Sequence, residues 1–107
     1  MSFMAFVSMT PLGKGVSVST YVAKVIDVID TSGLSYTMSP MGTIVEGETW
    51  DEVMDVLKRG FEQMKQECSR ISIAIKVDYR EGKSGRLKTK IASVEDKLGR
   101  KVHRTTE

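Results

Sequence analysis

The stretch Arg70-Ile71-Ser72-Ile73-Ala74-Ile75-Lys76-Val77-Asp78-Tyr79-Arg80 decides the fold class of this chain. Apolar β-branched residues occupy every second position from Ile71 to Val77, and the positions between them are small or charged. Because side chains alternate between the two faces of a strand, this period of two predicts a strand with one apolar face. The segments on either side decide which kind of sheet this strand joins.

An amphipathic helix is predicted on each side of this strand. Upstream, Thr49 and Glu52 form a capping box, and apolar residues recur at helical spacing over residues 53–68. Gly60 inside that helix costs about 1 kcal/mol relative to alanine, which indicates close packing at this position. Downstream, apolar residues repeat at the same spacing over residues 87–98 and predict a third helix that ends at a glycine.

The N-terminal half of the chain adds three strands and one helix. Residues 3–9 form a short apolar run, typical of a strand that is covered on both faces. A glycine-containing loop then leads into a helix with an apolar stripe over residues 18–29, for which Ser17 or Ser19 is the candidate N-cap. Two short extended segments flank Ser39-Pro40-Met41-Gly42 and predict a hairpin.

The order of these elements is βαββαβ followed by one more helix, which is an α+β, ferredoxin-like arrangement. We expect a four-stranded antiparallel sheet with two helices on one face and an extra C-terminal helix, all in a single domain over residues 1–98. Residues 99–107 are expected to form a flexible basic tail. Met4 and Phe6 would leave the second sheet face apolar, and a large bare apolar face is rare on a monomer. We therefore expect two sheets to stack, and the third helix to pack on a neighbouring subunit.

Composition restricts the classes of function. The 107 residues carry a net charge of +2, which is too small to indicate nucleic-acid binding. One cysteine, Cys68, and one histidine, His103, leave no internal disulfide, no cysteine-based metal site and no convincing nucleophile–base pair. No apolar run reaches the ~20 residues of a membrane span, and the first residues lack the features of a secretory signal. We therefore expect a cytoplasmic protein with no membrane association, catalytic residues, metal or cofactor.

The segment from Tyr36 to Gly47 is dense in residues with special chemistry. It combines a proline, two glycines, hydroxyl groups, methionines and the carboxylate of Glu46. That carboxylate could face a bound cation, although hairpin formation with a solvated Glu explains the same residues. Trp50 directly after this segment could stack on a ligand or cover the hairpin as the first residue of the following helix.

Four segments of the chain together form a pattern known from one protein family. They are the strand and loop over residues 3–17, Tyr36-x-x-x-Pro40-Met41-Gly42-Thr43-x-x-Glu46-Gly47, the strand over residues 71–80, and Ser93-Val94-Glu95-x-Lys97-Leu98. This pattern resembles the thiamine-binding-protein family of short single-domain proteins. The resemblance covers nearly the whole chain, and the Pro-Met-Gly-Thr-x-x-Glu-Gly segment is its most specific part.

The resemblance implies a ferredoxin-like fold assembled into a homotetramer through stacked sheets. It also implies binding of thiamine or a related pyrimidine, without catalysis, at a subunit interface close to the first loop and the hairpin. By this resemblance, seven positions contact the ligand: Met9, Pro11, Ser17, Ser19, Tyr36, Thr43 and Glu46.

The implied roles of these residues differ with their chemistry. Met9 and Pro11 would frame the apolar side of the ligand, while the two serines would hydrogen-bond the pyrimidine. Tyr36 would stack on a ring, and Thr43 and Glu46 would meet the amino group or the thiazolium charge. The main alternative is a structural or regulatory oligomeric protein that binds no small ligand. An enzyme on the same scaffold is a third hypothesis, which fold alone does not support.

Overall fold

The computed structural model describes residues 1–102, and within them the elements follow the predicted order. The strands are β1 (Ser2–Pro11), β2 (Ser35–Ser39), β3 (Gly42–Gly47) and β4 (Ile71–Arg80), and the helices are α1 (Ser19–Thr31), α2 (Trp50–Lys65) and α3 (Arg86–Leu98). The strands form one antiparallel sheet in the order β2-β3-β1-β4. This is the ferredoxin-like arrangement with an added C-terminal helix, as predicted.

The two faces of the sheet differ in what covers them. Odd-numbered residues of β1, namely Phe3, Ala5, Val7 and Met9, are buried on the face covered by α1 and α2, which we call the helix face. Ile29 of α1, Val45 of β3 and Val53 of α2 are fully buried with them. Even-numbered residues of β1 point to the opposite face, which we call the open face.

Helices α1 and α2 approach each other closely at Gly60. A Cβ atom at this position would lie 3.0 Å from Cγ1 of Val25, so the close packing predicted here is confirmed. The predicted N-cap also forms, since the Glu52 backbone N–H donates to Oγ1 of Thr49 at 3.1 Å, while the Glu52 carboxylate accepts from the N–H of Glu48, one residue before the cap, at 2.9 Å. The structure therefore agrees with two predictions for α2, the cap at its first turn and the close packing at Gly60.

The predicted N-cap of α1 is wrong. The residue before the helix is Val18, and no side chain caps this end. Because the helix begins at Ser19, Ser17 lies one residue too early and Ser19 one residue too late to act as the cap. Instead, the backbone N–H groups of Tyr21 and Val22 donate the first hydrogen bonds of the helix to the Val18 carbonyl, each at 3.0 Å.

Strand β4 is confirmed, but its apolar face is only partly covered. Ile73 and Ile75 lie on the helix face, yet they are 41% and 38% exposed. The physical reason is position, because β4 is an edge strand and α2 packs on β1 and β3.

Helix α3 lies on the open face of its own sheet, and its packing on a neighbouring subunit stays a prediction. Leu87 and Ile91 of α3 border the same cavity as Met4 of β1 and Ile44 of β3. The open face is therefore partly covered within the chain, although Phe6 remains 38% exposed.

The chain after α3 turns back on the helix. Gly99 ends α3 with a φ of +75°, and its N–H donates to the Glu95 carbonyl at 2.9 Å. The Val102 N–H then donates to the Glu95 carboxylate at 2.8 Å. The flexible tail over residues 99–107 stays a prediction, because His103 and the residues after it lie outside the described part.

Candidate functional site

A groove runs along α1, between that helix and the β2–β3 hairpin. It consists of two adjoining cavities of about 170 Å³ and about 590 Å³, which share Val22, Ile26 and Met38. These three side chains are apolar, and we call the whole depression the α1 groove. It lies at a sheet edge, because β2 is the outermost strand on this side.

The inner end of the α1 groove is apolar with one hydroxyl. Met9 of β1 and Thr43 of β3 both line it, since the register places both residues on the helix face. Met38 and Met41 of the hairpin complete this end with two exposed thioether side chains. Methionine adapts its shape to flat or irregular apolar groups, so this end suits a ring.

The outer end of the groove combines an aromatic ring with two carboxylates. The Tyr36 hydroxyl donates to Oδ1 of Asp30 at 2.7 Å, and Asp27 lies one helical turn earlier on α1. Ser19 in the first turn of the same helix also lines this end. The hydrogen bond to Asp30, assisted by desolvation and by the Asp30 charge, raises the pKa of Tyr36 above its usual range. The phenol therefore stays protonated at neutral pH and continues to donate.

Four of the seven residues predicted to contact a ligand line this groove. Met9 and Thr43 are at its inner end, and Ser19 and Tyr36 at its outer end. Pro11 closes β1 beside the groove and Ser17 precedes α1, but neither borders the two cavities.

Glu46 lies on the other side of the sheet from these residues. It is three positions after Thr43 on β3, so the alternation of a strand turns its side chain to the open face. There its carboxylate accepts hydrogen bonds from the Ser2 hydroxyl, from the Arg86 N–H at 2.8 Å and from the Leu87 N–H at 3.0 Å. The structure thus places Glu46 at the N-terminus of α3 and does not bring it to the α1 groove.

Arg86 extends this polar cluster and is itself buried. Its guanidinium donates to Oγ of Ser2 at 2.8 Å, to Oδ2 of Asp78 at 2.7 Å and to the Asp78 carbonyl at 2.6 Å. We call the contacts among Ser2, Glu46, Asp78 and Arg86 the α3 clamp. An anionic carboxylate at a helix N-terminus also interacts favourably with the helix dipole.

Two opposing effects act on the pKa of Glu46. Burial favours the neutral acid and raises the pKa, whereas the hydrogen bonds from Ser2, Leu87 and Arg86 and the Arg86 charge lower it. The stabilising contacts prevail, so the pKa of Glu46 lies below its ordinary value. The carboxylate is therefore charged at neutral pH and remains bound within the clamp.

Asp27 and Asp30 line the groove but are not among the residues predicted to contact a ligand. They are exposed residues of an amphipathic helix, which ordinarily indicates a solvated surface. The sequence feature that could have identified them is their spacing of three residues, which puts both on one side of α1. That side lies next to the strand that carries Tyr36.

Within residues 1–102, none of the helices is long and apolar enough to cross a membrane. No group of three or more His, Cys, Asp or Glu side chains in that range is arranged to hold a metal ion.

Fold and groove together define a small ferredoxin-like protein with an apolar, partly acidic groove at its sheet edge. Comparison with known families identifies it further: a family model described as thiamine-binding protein matches residues 5–95. The chain therefore belongs to the thiamine-binding protein family.

Named relatives cover almost the same part of the chain. A UPF0045 protein of Mycobacterium bovis is 41% identical over 95 residues, covering 89% of this chain and 93% of the relative. A crystal structure of a hypothetical protein from Methanocaldococcus jannaschii has a TM-score of 0.79 at 33% identity, covering 89% and 97% of the two chains. A candidate thiamine biosynthesis/salvage protein of Thermotoga maritima, at 22% identity and a TM-score of 0.75 over 88% and 99% of the chains, shares the fold.

Proposed function

We propose that this protein binds thiamine or a related pyrimidine in the α1 groove without transforming it, and that it acts in the cytoplasm. Membership of the thiamine-binding protein family supports a small-molecule binding role. The observation that carries the proposal is the outer end of the groove, where Tyr36 is hydrogen-bonded to Asp30 and Asp27 lies beside them. An aromatic ring next to carboxylates, in a groove with apolar side chains, suits a flat ligand that carries positive charge.

The groove offers separate contacts for the two parts of such a ligand. The thioethers of Met9 and Met38 and the ring of Tyr36 would contact the faces of the aromatic rings. The hydroxyls of Ser19 and Thr43 would hydrogen-bond polar atoms of the pyrimidine. Pro11 and Ser17 would lie next to this site, at the mouth formed by the first loop.

We propose that Asp27 and Asp30 supply the negative charge that interacts with the positively charged thiazolium ring. Both carboxylates line the groove, whereas the carboxylate of Glu46 is on the open face and is already bound by Ser2 and α3. Because the two aspartates are exposed, each contributes modestly and in a salt-dependent way.

We assign no catalytic step to the residues around the groove. Catalysis by a nucleophile requires a base within hydrogen-bond reach of it. Cys68 is buried in the core, and the Tyr36 hydroxyl, which donates to Asp30, has a raised pKa that disfavours its ionisation.

We also propose that the protein forms a homotetramer in which sheets stack face to face. The part of the open face left uncovered by α3 includes Phe6, and the groove lies at the sheet edge, so a second subunit could complete its outer wall. If the assembly forms but binds no ligand, the chain is instead a structural or regulatory oligomeric protein.

Calorimetric titration with thiamine and with its neutral aminopyrimidine half tests the ligand proposal. Thiamine should bind saturably, and Asp30→Asn should weaken it about fivefold while changing the affinity for the neutral pyrimidine less than twofold. Glu62→Gln, an exposed acid on α2, is the matched control and should leave both affinities unchanged. Absence of saturable heat at millimolar thiamine, or equal losses for both ligands, would contradict the proposal.

A further inference from the structure

A cavity separate from the α1 groove lies between α3 and the open face of the sheet. Its volume is about 370 Å³, within the range typical of small-molecule sites. The sheet contributes Met4 and Ile44 to its walls, and α3 contributes Leu87, Ile91 and Val94. We call this cavity the α3 cleft.

The apolar stripe of α3 borders the cleft without being buried by it. Ile91 and Val94 line the cleft, yet they are 38% and 49% exposed. A helix ordinarily packs its stripe against the protein, because burial of that stripe supplies most of its stability. Here the contacts of Glu46 and Arg86 fix one end of α3 to the sheet and leave apolar surface along the helix uncovered by residues 1–102.

The charge at the mouth of the cleft is positive. The Arg86 guanidinium is neutralised by Asp78, and the Glu46 carboxylate is enclosed in the α3 clamp. Lys90, one turn along α3, lines the cleft, and it takes part in none of the ion pairs found within residues 1–102. An anion at the mouth therefore meets a lysine that has no carboxylate partner among the described residues.

We propose that the α3 cleft binds a small molecule with an apolar body and a single anionic head group. The body would contact Ile44, Ile91 and Val94, and the head would interact with the ammonium group of Lys90. This site lies on the opposite sheet face from the α1 groove and prefers the opposite ligand charge. It does not depend on the proposed thiamine site.

Octanoate is a suitable probe, with 1-octanol as its uncharged counterpart of equal chain length. Octanoate should shift the methyl NMR signals of Ile44 and Ile91 saturably. Lys90→Gln should weaken octanoate about fivefold and leave octanol unchanged. Lys58→Gln, an exposed lysine on α2 at the other sheet face, is the matched control and should change neither affinity.

The apolar body has its own test. Ile91→Ala should weaken octanoate and octanol by the same factor, because it removes wall surface and no charge. Lengthening the carboxylate from hexanoate to octanoate should increase affinity by up to about fourfold per methylene buried. Far-UV circular dichroism of each variant checks that α3 remains folded.

Three results would overturn the proposal. The first is a loss of octanol binding equal to that of octanoate in Lys90→Gln. The second is a set of shifts confined to Val22 and Ile26, which would place the probe in the α1 groove. The third is failure of octanoate to bind while the Ile91 and Val94 methyls are shielded in an oligomer, which would make the cleft a contact between copies of this chain.

Discussion

Among single residues, Glu46 makes the most consequential contacts. Its carboxylate joins Ser2 of β1 to the first two N–H groups of α3, so one buried charge links both ends of the described chain. Gly85 before the helix has a φ of +66° and offers no side-chain cap, so this end of α3 is held by Glu46 together with the Arg86 contacts to Ser2 and Asp78. The position of α3 therefore depends on an acid located on another element.

Replacement of Glu46 by glutamine should loosen α3. The amide accepts fewer hydrogen bonds and carries no charge, so we expect the free energy of unfolding to fall by about 1–3 kcal/mol. Urea denaturation gives this value, and amide hydrogen exchange should show the loss of protection concentrated in α3. The exposed Glu62→Gln should change stability by less than about 0.5 kcal/mol. A uniform change in exchange along the whole chain would argue against a local role.

The lowered pKa of Glu46 makes this contribution depend on pH in a defined direction. A carboxyl group whose pKa is lower in the folded state stabilises the fold above its unfolded pKa, which is about 4.3 for Glu. That stabilisation is lost as pH falls through the folded value. The stability difference between the natural chain and Glu46→Gln should thus be constant near neutrality and shrink below about pH 4.3. Urea denaturation of both proteins from pH 7 to pH 3 measures it, and a difference independent of pH would contradict the assignment.

Single residues show where sequence reasoning reaches its limit. Glu46 was recognised as exceptional from its segment, but its partners Ser2 and Arg86 are 44 and 40 positions away. A local sequence pattern does not predict contacts over such distances. From the sequence, an acid in this segment is therefore explained by the positive charge of a ligand. Asp30 resembles an ordinary surface residue in the sequence. It becomes a candidate ligand contact only in the folded chain, where Tyr36 packs against α1 and donates a hydrogen bond to it.

At the level of elements, local signals predict helices and strands well. The Thr49 cap of α2 and the alternation of β4 are each recognised from a few neighbouring residues, and both are confirmed. The placement of α3 on its own sheet was not predicted, because an amphipathic stripe indicates that one side of a helix is covered but does not identify the element that covers it. The exposure of Ile75 was missed for a related reason, since strand order decides which strand lies at the edge.

The contact between α1 and α2 provides a test at this scale. Gly60→Ala gains helix propensity of about 1 kcal/mol, but its Cβ would lie 3.0 Å from Cγ1 of the buried Val25. Overpacking costs about 1–3 kcal/mol, so we expect a net destabilisation of about 1 kcal/mol. In a Val25→Ala background the same change should be stabilising, because the crowded methyl is absent. A double-mutant cycle by urea denaturation measures this coupling, and additive effects would show that the two helices yield without strain.

For the whole molecule, the proposed assembly requires one face of the subunit to meet a second copy. Phe6 on the open face and Ile75 on the helix face of β4 are both 38% exposed, so the chain offers two apolar surfaces of similar exposure. Helix α3 covers part of the open face, which makes the stacking surface smaller than a bare sheet would provide. The edge of β4 is a competing contact, since an unpaired strand edge favours pairing with another chain.

Two matched substitutions distinguish these surfaces. If sheets stack through the open face, Phe6→Lys places an uncompensated charge in the contact next to Lys76, and the assembly should dissociate. Ile75→Lys introduces the same charge at a residue of equal exposure on the other face and should leave the assembly intact. Sedimentation velocity at micromolar concentration measures the state of each variant, and far-UV circular dichroism confirms its fold. Dissociation by Ile75→Lys alone would move the interface to β4, and the groove at β2 would then lie at the sheet edge farthest from that contact.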